Sequence, residues 1–308
     1  MQERSYLHKR HLLSHRQIDV AIGKESGKNF LDEKLRSLML VNDFLAVVRI
    51  FNSKEIFFVA LKGPLLSQRI YDDATVRISH DIDILIRKAD FNSVYELMLS
   101  HGYKLSREED LPVGRDGECV MPKSTYQISF CRSGSKFTID IHWQLFDYLP
   151  FSHSRVSRII EQNVTELTFN GERVRRFSLE FELIYLMILG SKHGWCCLKW
   201  LVDIKDYPTH ELDREKFAEL VSLMSANKVL IQTNFLLKRY FNKKLPFKTK
   251  QRVNSFVLRY PLDCINSKLP ENQSTINKLK KFIYNFLMFS PWQGLWTLHA
   301  NVKSQLFI

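Results

Sequence analysis

The stretch that decides the fold reads Asp81-Ile82-Asp83-Ile84-Leu85-Ile86, with Arg77, Ile78, Ser79 and His80 directly ahead of it. Acid alternates with aliphatic at its start, which is the period-two signature of a β-strand whose faces differ in chemistry. Asp81 and Asp83 then project to one side, while Ile82, Ile84 and Ile86 enter a core on the other. A second stretch, residues 136–143 (KFTIDIHW), has the same build. Thr138, Asp140 and His142 share one face there, and Ile139, Ile141 and Trp143 share the other. If the two strands pair, three carboxylates meet.

Working outward, residues 56–63 (IFFVALKG) form a continuous apolar run ending in glycine, which suits a buried strand leading into a tight turn. Pro64 fits the first turn of a short helix after it. Asp90 is placed to cap a helix over FNSVYELMLSH, and Gly102 to end it at the C′ position. TYQISFCR and KFTIDIHW flank Ser133-Gly134-Ser135, a connection of hairpin length, and VTELTF and ERVRRF turn on Asn170-Gly171, a strong short hairpin signal. From Ser178 the pattern becomes helical, with a serine cap, Glu180 and Glu182 in the first turn, and LIYLMIL dense enough to imply burial. Leu31, Leu35, Leu38, Val41, Leu45 and Val48 fall at helical spacing, and residues 107–124 read as the clearest loop. The expected architecture is α+β: a small mixed sheet, with an N-terminal helical lead-in over 1–54, an α/β core over 55–177 and a helical C-terminal region over 178–308.

The 308 residues are 45% hydrophobic, enough for a sizeable core. Lys and Arg number 45 against 33 acids, and the net charge of +12 favours anionic partners such as nucleotides, RNA or acidic membranes without choosing among them. Five cysteines without C-x-x-C spacing argue against a disulfide framework or a zinc ribbon and fit a reducing, cytoplasmic location. The N-terminal residues are polar and basic, so no secretory signal is expected. The aromatic-rich stretch 282–298 is interrupted by Asn285, Pro291, Gln293 and Gly294, and no transmembrane segment is expected there.

Three carboxylates forced together repel unless a divalent cation sits among them or some are protonated. Oxygen-only donors favour Mg2+ or Mn2+ over zinc, and such a site can hold two ions that bridge a triphosphate. A D-x-D pair alone more often marks a capping or solvated acid. The neighbours shift the balance: Lys62 and Gly63 form a glycine turn upstream, and Arg77 and Ser79 stand just before the acids, supplying amides, a hydroxyl and cations suited to phosphates.

In order along the chain, Leu61-Lys62-Gly63, Tyr71, Arg77 to Asp83, Gly102-Tyr103, Asp140-Ile141-His142-Trp143, His193, Trp195 and Leu198 to Ile204 resemble the uncharacterised nucleotidyltransferase family of the DNA polymerase β-like superfamily. The resemblance covers roughly residues 55–210. It implies metal ligation by Asp81, Asp83 and Asp140, with Gly63 making room for nucleotide phosphate and Lys62, Arg77 and Ser79 beside it. Pro64 departs from the Gly-Ser or Gly-Gly turn of much of the superfamily and removes one amide donor.

The resemblance also makes Lys192 a candidate phosphate contact, by analogy with toxin-like nucleotidyltransferases. The alternative for Lys192 is an interaction with its own helix C-terminus. His142 reads as a group that orients the neighbourhood of Asp140 beside it or bonds a ligand, Asp203 as a buried hydrogen-bonding anchor, and Trp143, Trp195 and Trp200 as core aromatics. The expected activity moves a nucleoside monophosphate from an NTP to an unidentified acceptor (small molecule, peptide or RNA) with release of pyrophosphate. Two other readings stay open: a non-catalytic nucleotide- or RNA-binding protein that keeps the fold, and a toxin-like enzyme that modifies tRNA.

Overall fold

The structure, a computed structural model, describes residues 2–22, 30–107, 126–146, 153–247, 253–267 and 275–289. The 107–124 loop, Cys119 and the part of the aromatic stretch after residue 289 fall wholly or almost wholly outside the described residues. The described chain groups into two compact units, one drawn from 26–147 and 153–177 and the other from 1–25 and 178–308. The 1–54 segment is helical, but its contacts divide it: α1 (Gln2–His11) and α2 (His15–Ile22) belong to the second unit, and α3 (Leu31–Ser53) to the first.

The first unit is the α/β unit. After α3 come β1 (Phe58–Ala60), α4 (Gly63–Tyr71), β2 (Asp81–Ile86), α5 (Phe91–Ser100), β3 (Tyr103–Leu105), β4 (Gln127–Arg132), β5 (Thr138–His142), α6 (His153–Gln162), β6 (Val164–Phe169) and β7 (Glu172–Phe177). Five strands form one mixed sheet in the order β1-β2-β5-β4-β3, and β6 and β7 form a hairpin. Only β2 and β5 run parallel within the five-stranded sheet; its other neighbours are antiparallel. One face of the sheet is apolar because the period-two pattern puts Ile82, Ile84, Ile86, Ile139 and Ile141 there, and these pack with Phe44, Val48 and Phe51 of α3. Each such aliphatic side chain, fully buried, contributes about 1.5–3 kcal/mol. The opposite face is left to the acids.

Turn chemistry agrees with the expectations at two hairpins. Asn170 (φ 48°) and Gly171 (φ 84°) both take positive φ, as a two-residue primed turn requires, and β6 pairs with β7 from Val164–Phe177 to Phe169–Glu172. The β4–β5 hairpin pairs Phe130 with Ile139 and Gln127 with His142. Gly102, at φ 79°, follows α5 as its C′ residue. Asp90 differs from its expected role. It stands ahead of α5 inside a short 3-10 turn, and its side chain makes no capping bond among the described residues, because its backbone (φ −88°, ψ 0°) is not the extended conformation a cap needs.

The second unit is helical: α1, α2, α7 (Leu179–Lys192), α8 (Leu198–Lys205), α9 (Arg214–Leu223), α10 (Asn227–Phe241), α11 (Ser255–Asn266) and α12 (Thr275–Phe289). Ser178 caps α7 by accepting from the Phe181 amide at 3.4 Å. Within α7, Phe181, Leu183, Ile184, Leu186, Met187 and Ile188 are all buried. Trp195 is fully buried and donates to Gln232 Oε1 at 2.7 Å, as expected of a core aromatic with a polar handle. Asp203 is also fully enclosed. Among the described residues no single helix is long and apolar enough to cross a membrane, and Cys131, Cys196, Cys197 and Cys264 form no disulfide.

Candidate active site

Parallel pairing of β2 with β5 sets Asp83 directly beside Asp140 and Asp81 beside Thr138. Because alternate residues share a face, this register puts all three carboxylates on the side away from the isoleucines. One oxygen from each of Asp81, Asp83 and Asp140 lies within 4.8 Å of the others. Side chains of like charge gather this closely only where something of opposite charge compensates them or a proton neutralises one of them.

Part of that compensation is the protein's own. Lys62 Nζ lies 2.8 Å from Asp83 Oδ2, and His142 Nε2 lies 3.0 Å from Asp83 Oδ1. Burial by itself would raise the Asp83 carboxyl, but the Lys62 charge and the His142 hydrogen bond outweigh it and hold the group well below the usual carboxylate range. Asp140 is shifted the other way. Burial comes first, the neighbouring Asp83 and Asp81 charges add to it, and a hydrogen bond from Ser129 offsets it only in part. Asp140 Oδ2 accepts from Gln127 Nε2 at 3.3 Å, whereas its Oδ1 is buried without a hydrogen-bond partner among the described residues. A buried carboxylate oxygen left bare is costly, and its carboxyl belongs to a cluster with two more acids. An oxygen-only trio with one orphaned ligand atom fits a hard divalent cation such as Mg2+ or Mn2+.

The glycine turn sits at the same end of the strands. β1 runs antiparallel to β2, and Leu61 N donates to Asp83 O at 3.1 Å, which brings the Lys62-Gly63 corner beside the acids. Gly63 has φ 66°, and an added Cβ would meet nothing within 4 Å among the described residues. Backbone conformation, not crowding, therefore selects glycine here. It opens α4, whose first-turn amides are available to an anion apart from the one that Pro64 lacks. Ser67 Oγ of α4 accepts from Arg77 N at 3.0 Å and donates to Asp73 O at 2.6 Å, tying this helix to the segment that feeds β2. Arg77 and Ser79 are both buried in that segment, with the guanidinium donating to Ser79 Oγ at 2.9 Å.

The structure thus brings together Asp81, Asp83, Asp140 and Lys62, sets Gly63 at the adjoining turn, and pairs Arg77 with Ser79. Lys192 is the last residue of α7 and belongs to the helical unit, which does not carry the acids. Its neighbour His193 stacks on Trp200 at 5.1 Å. Three residues of the acid cluster were not singled out for their actual roles. His142 supports Asp83, the acid on the facing strand, and not its own neighbour Asp140. Gln127 and Ser129 both bond Asp140 from β4. Their signal was present: Gln127 and Ser129 alternate with core residues Ile128 and Phe130, so they share the acid face of a strand paired with β5.

No curated protein matches the chain. Among solved structures it is similar to an antigenic nucleotidyltransferase-like protein from Paracoccidioides brasiliensis, with 17% identity and a TM-score of 0.36, over 69% of this chain and 94% of that one. A likeness at that level carries no argument. The sequence profile described as uncharacterised nucleotidyltransferase, in contrast, matches residues 15–242, a span that includes every residue of the acid cluster and its glycine turn. By that match, the chain belongs to the family of uncharacterised nucleotidyltransferases.

Proposed function

We propose that the protein is a metal-dependent nucleotidyltransferase that moves a nucleoside monophosphate from an NTP to an acceptor hydroxyl and releases pyrophosphate. The observation that carries the reading is the convergence of three acid oxygens within 4.8 Å on two parallel strands, with Asp140 Oδ1 buried and bare. Asp81, Asp83 and Asp140 would hold Mg2+ or Mn2+, with room in the reading for two ions. When bound, such ions neutralise the triphosphate, favour ionisation of the attacking hydroxyl and stabilise the departing pyrophosphate.

The chain's own groups do the rest. The Lys62-Gly63 turn and the first turn of α4 receive the phosphates, with Arg77 and Ser79 supporting that end. Lys62, now on Asp83, is close enough to exchange that carboxylate for a phosphate oxygen as substrate arrives. His142 fixes the Asp83 carboxylate in place. Asp140, held by Gln127 through Oδ2 and level with Asp83, is the carboxylate placed to take the acceptor's hydroxyl proton. Positioning and charge compensation supply the catalysis.

An NTP panel with magnesium or manganese, read by pyrophosphate release in the presence of cell extract, tests this. Release that requires metal and is abolished in both Asp81→Asn and Asp83→Asn supports the reading. Full activity in both variants contradicts it. Nucleotide binding without any pyrophosphate release would favour a non-catalytic nucleotide-binding role, in which the Lys62–Asp83 ion pair is permanent.

A further inference from the structure

Away from the acid cluster, the helical unit brings two neighbouring thiols and a buried cation together at the start of α8. Cys196 and Cys197 lie in the connection from α7 to α8, half-buried and free of any disulfide. The Cys196 thiol donates to the Cys197 sulfur, so the two are already in contact. Cys197 is the N-cap residue of α8, in extended conformation (φ −119°, ψ 135°), which sets it at the positive end of that helix. Arg10 of α1 is buried against the pair. Its guanidinium donates to Cys196 O at 2.6 Å, Cys264 O at 2.9 Å and Ser267 O at 3.0 Å, and it also bonds the Cys197 sulfur. Those three carbonyls are neutral, so they fix the guanidinium without cancelling its charge. Buried Lys199 stands in the first turn of α8, and His11 Nδ1 accepts from the Leu198 amide at 3.3 Å. All of these residues belong to one unit.

A cysteine kept only for packing sits in apolar surroundings, which raise its thiol and leave it inert. Here a donating neighbour, two cations and a helix N-terminus surround the sulfur, the setting that favours the nucleophilic thiolate. The hydrogen bond from Cys196 acts first, burial opposes it, and the Arg10 and Lys199 charges add to it, bringing the Cys197 thiol down to about 7. We propose that Cys196 and Cys197 form a redox modification site, in which Cys197 attacks a hydroperoxide and Cys196 resolves the product to a vicinal disulfide. With hydrogen peroxide, the Cys197 thiolate attacks one oxygen, an S–O bond forms, and the O–O bond breaks. The second oxygen leaves as hydroxide with that electron pair and takes a proton to become water. Cys196 then gives up its proton and attacks the Cys197 sulfur, so that the S–S bond forms while the S–O bond breaks and a second water departs. The two thiols lose two electrons, and one peroxide is reduced to two waters. Exchange with a cellular thiol returns the pair to its reduced form.

Peptide mapping of the full chain tests the site. Trypsin cuts after Lys192 and Lys199 and releases residues 193–199 with Cys196 and Cys197 as the only cysteines in the peptide. After a small excess of hydrogen peroxide at neutral pH and blocking with iodoacetamide, this peptide is expected unalkylated and lighter by two hydrogen atoms. The change should come before that of any other cysteine and be reversed by dithiothreitol. In Cys197→Ser, whose serine suits an N-cap, Cys196 should stay open to iodoacetamide after peroxide. In Cys196→Ser, dimedone should trap a sulfenic acid on Cys197. The wild type alone gives a further readout, the rate of Cys197 alkylation at pH 6. Against the ordinary value of 9.0, a thiol at about 7 has about 90 times the thiolate there, and its weaker nucleophilicity takes back about eightfold. Alkylation about tenfold faster in the folded chain than in the urea-unfolded one is therefore expected. A peptide that stays reduced under peroxide, a disulfide from Cys197 to another cysteine, or alkylation no faster in the folded chain overturns the site. Oxidation of Cys197 beyond the sulfenic acid while Cys196 remains free overturns the resolving role.

Discussion

Replacing Asp140 by Asn should stabilise the metal-free protein while abolishing its chemistry. The acid oxygens lie within 4.8 Å of one another, a spacing at which two unit charges repel by about 3.5 kcal/mol at an effective dielectric constant of about 20. Asp140 takes part in two such pairs. Lys62 and His142 already compensate Asp83, and Asp81 is partly exposed, so the net relief is well below the sum, about 1–2 kcal/mol. The sign follows from the direction of the shift. A carboxyl raised on folding by burial and by Asp83 and Asp81 favours the native state below its ordinary range, and that contribution is lost as pH rises through the folded value. The charged Asp140 therefore opposes folding at neutral pH, and the neutral amide does not. Thermal unfolding near neutral pH in EDTA should show the variant melting about 2–6 °C above wild type. Saturating magnesium or manganese should reverse the order, because a ligand at a hundred times its Kd stabilises the wild type by about 2.7 kcal/mol. A variant that melts below wild type in EDTA, with a wild type indifferent to metal, would refute the argument.

Lys62→Met should destabilise the metal-free protein by about 1–3 kcal/mol in a urea titration, because Asp83 keeps a buried charge beside two other acids, with His142 as its remaining partner among the described residues. Gly190→Ala places a Cβ 2.4 Å from the Trp195 ring, so a melting point several degrees lower is expected from overpacking of about 1–3 kcal/mol. His11, nearly enclosed and accepting from the Leu198 amide, is lowered to about 4, by burial first and by Arg10 second. Its protonation disfavours the native state, so stability is intact above the ordinary value of 6.5 and falls by about 2–3 kcal/mol as the pH drops to about 4. In His11→Gln that acid-side loss, followed by denaturant midpoint against pH, should shrink.

The acid strands were legible because a period-two pattern with carboxylates on one face and isoleucines on the other has few alternative readings. The Asn170-Gly171 hairpin and the Ser178 cap were legible for the same kind of reason: each is a local rule satisfied by a specific residue. What a sequence leaves open is pairing over distance. Nothing in residues 81–86 announces that β5 lies parallel beside β2 with Asp83 level with Asp140. Nor could spacing alone assign His142 to Asp83, since that hydrogen bond crosses between strands 59 residues apart. The short edge strand Tyr103–Leu105 carries a weak local signal and takes its form from what it packs against. Helix His153–Gln162 carries a legible one, Val156, Ile159 and Ile160 at helical spacing, which the reading of the sequence passed over. Asp90 shows the converse, a favourable capping residue whose backbone conformation prevents the cap.

The central claim is that Asp81, Asp83 and Asp140 act together as a cation site. Electron paramagnetic resonance of Mn2+ titrated into the protein with an NTP present measures this directly. The account expects bound manganese in the wild type and a loss of roughly tenfold or more in affinity in each of Asp81→Asn, Asp83→Asn and Asp140→Asn. Manganese affinity unchanged in all three variants would contradict it.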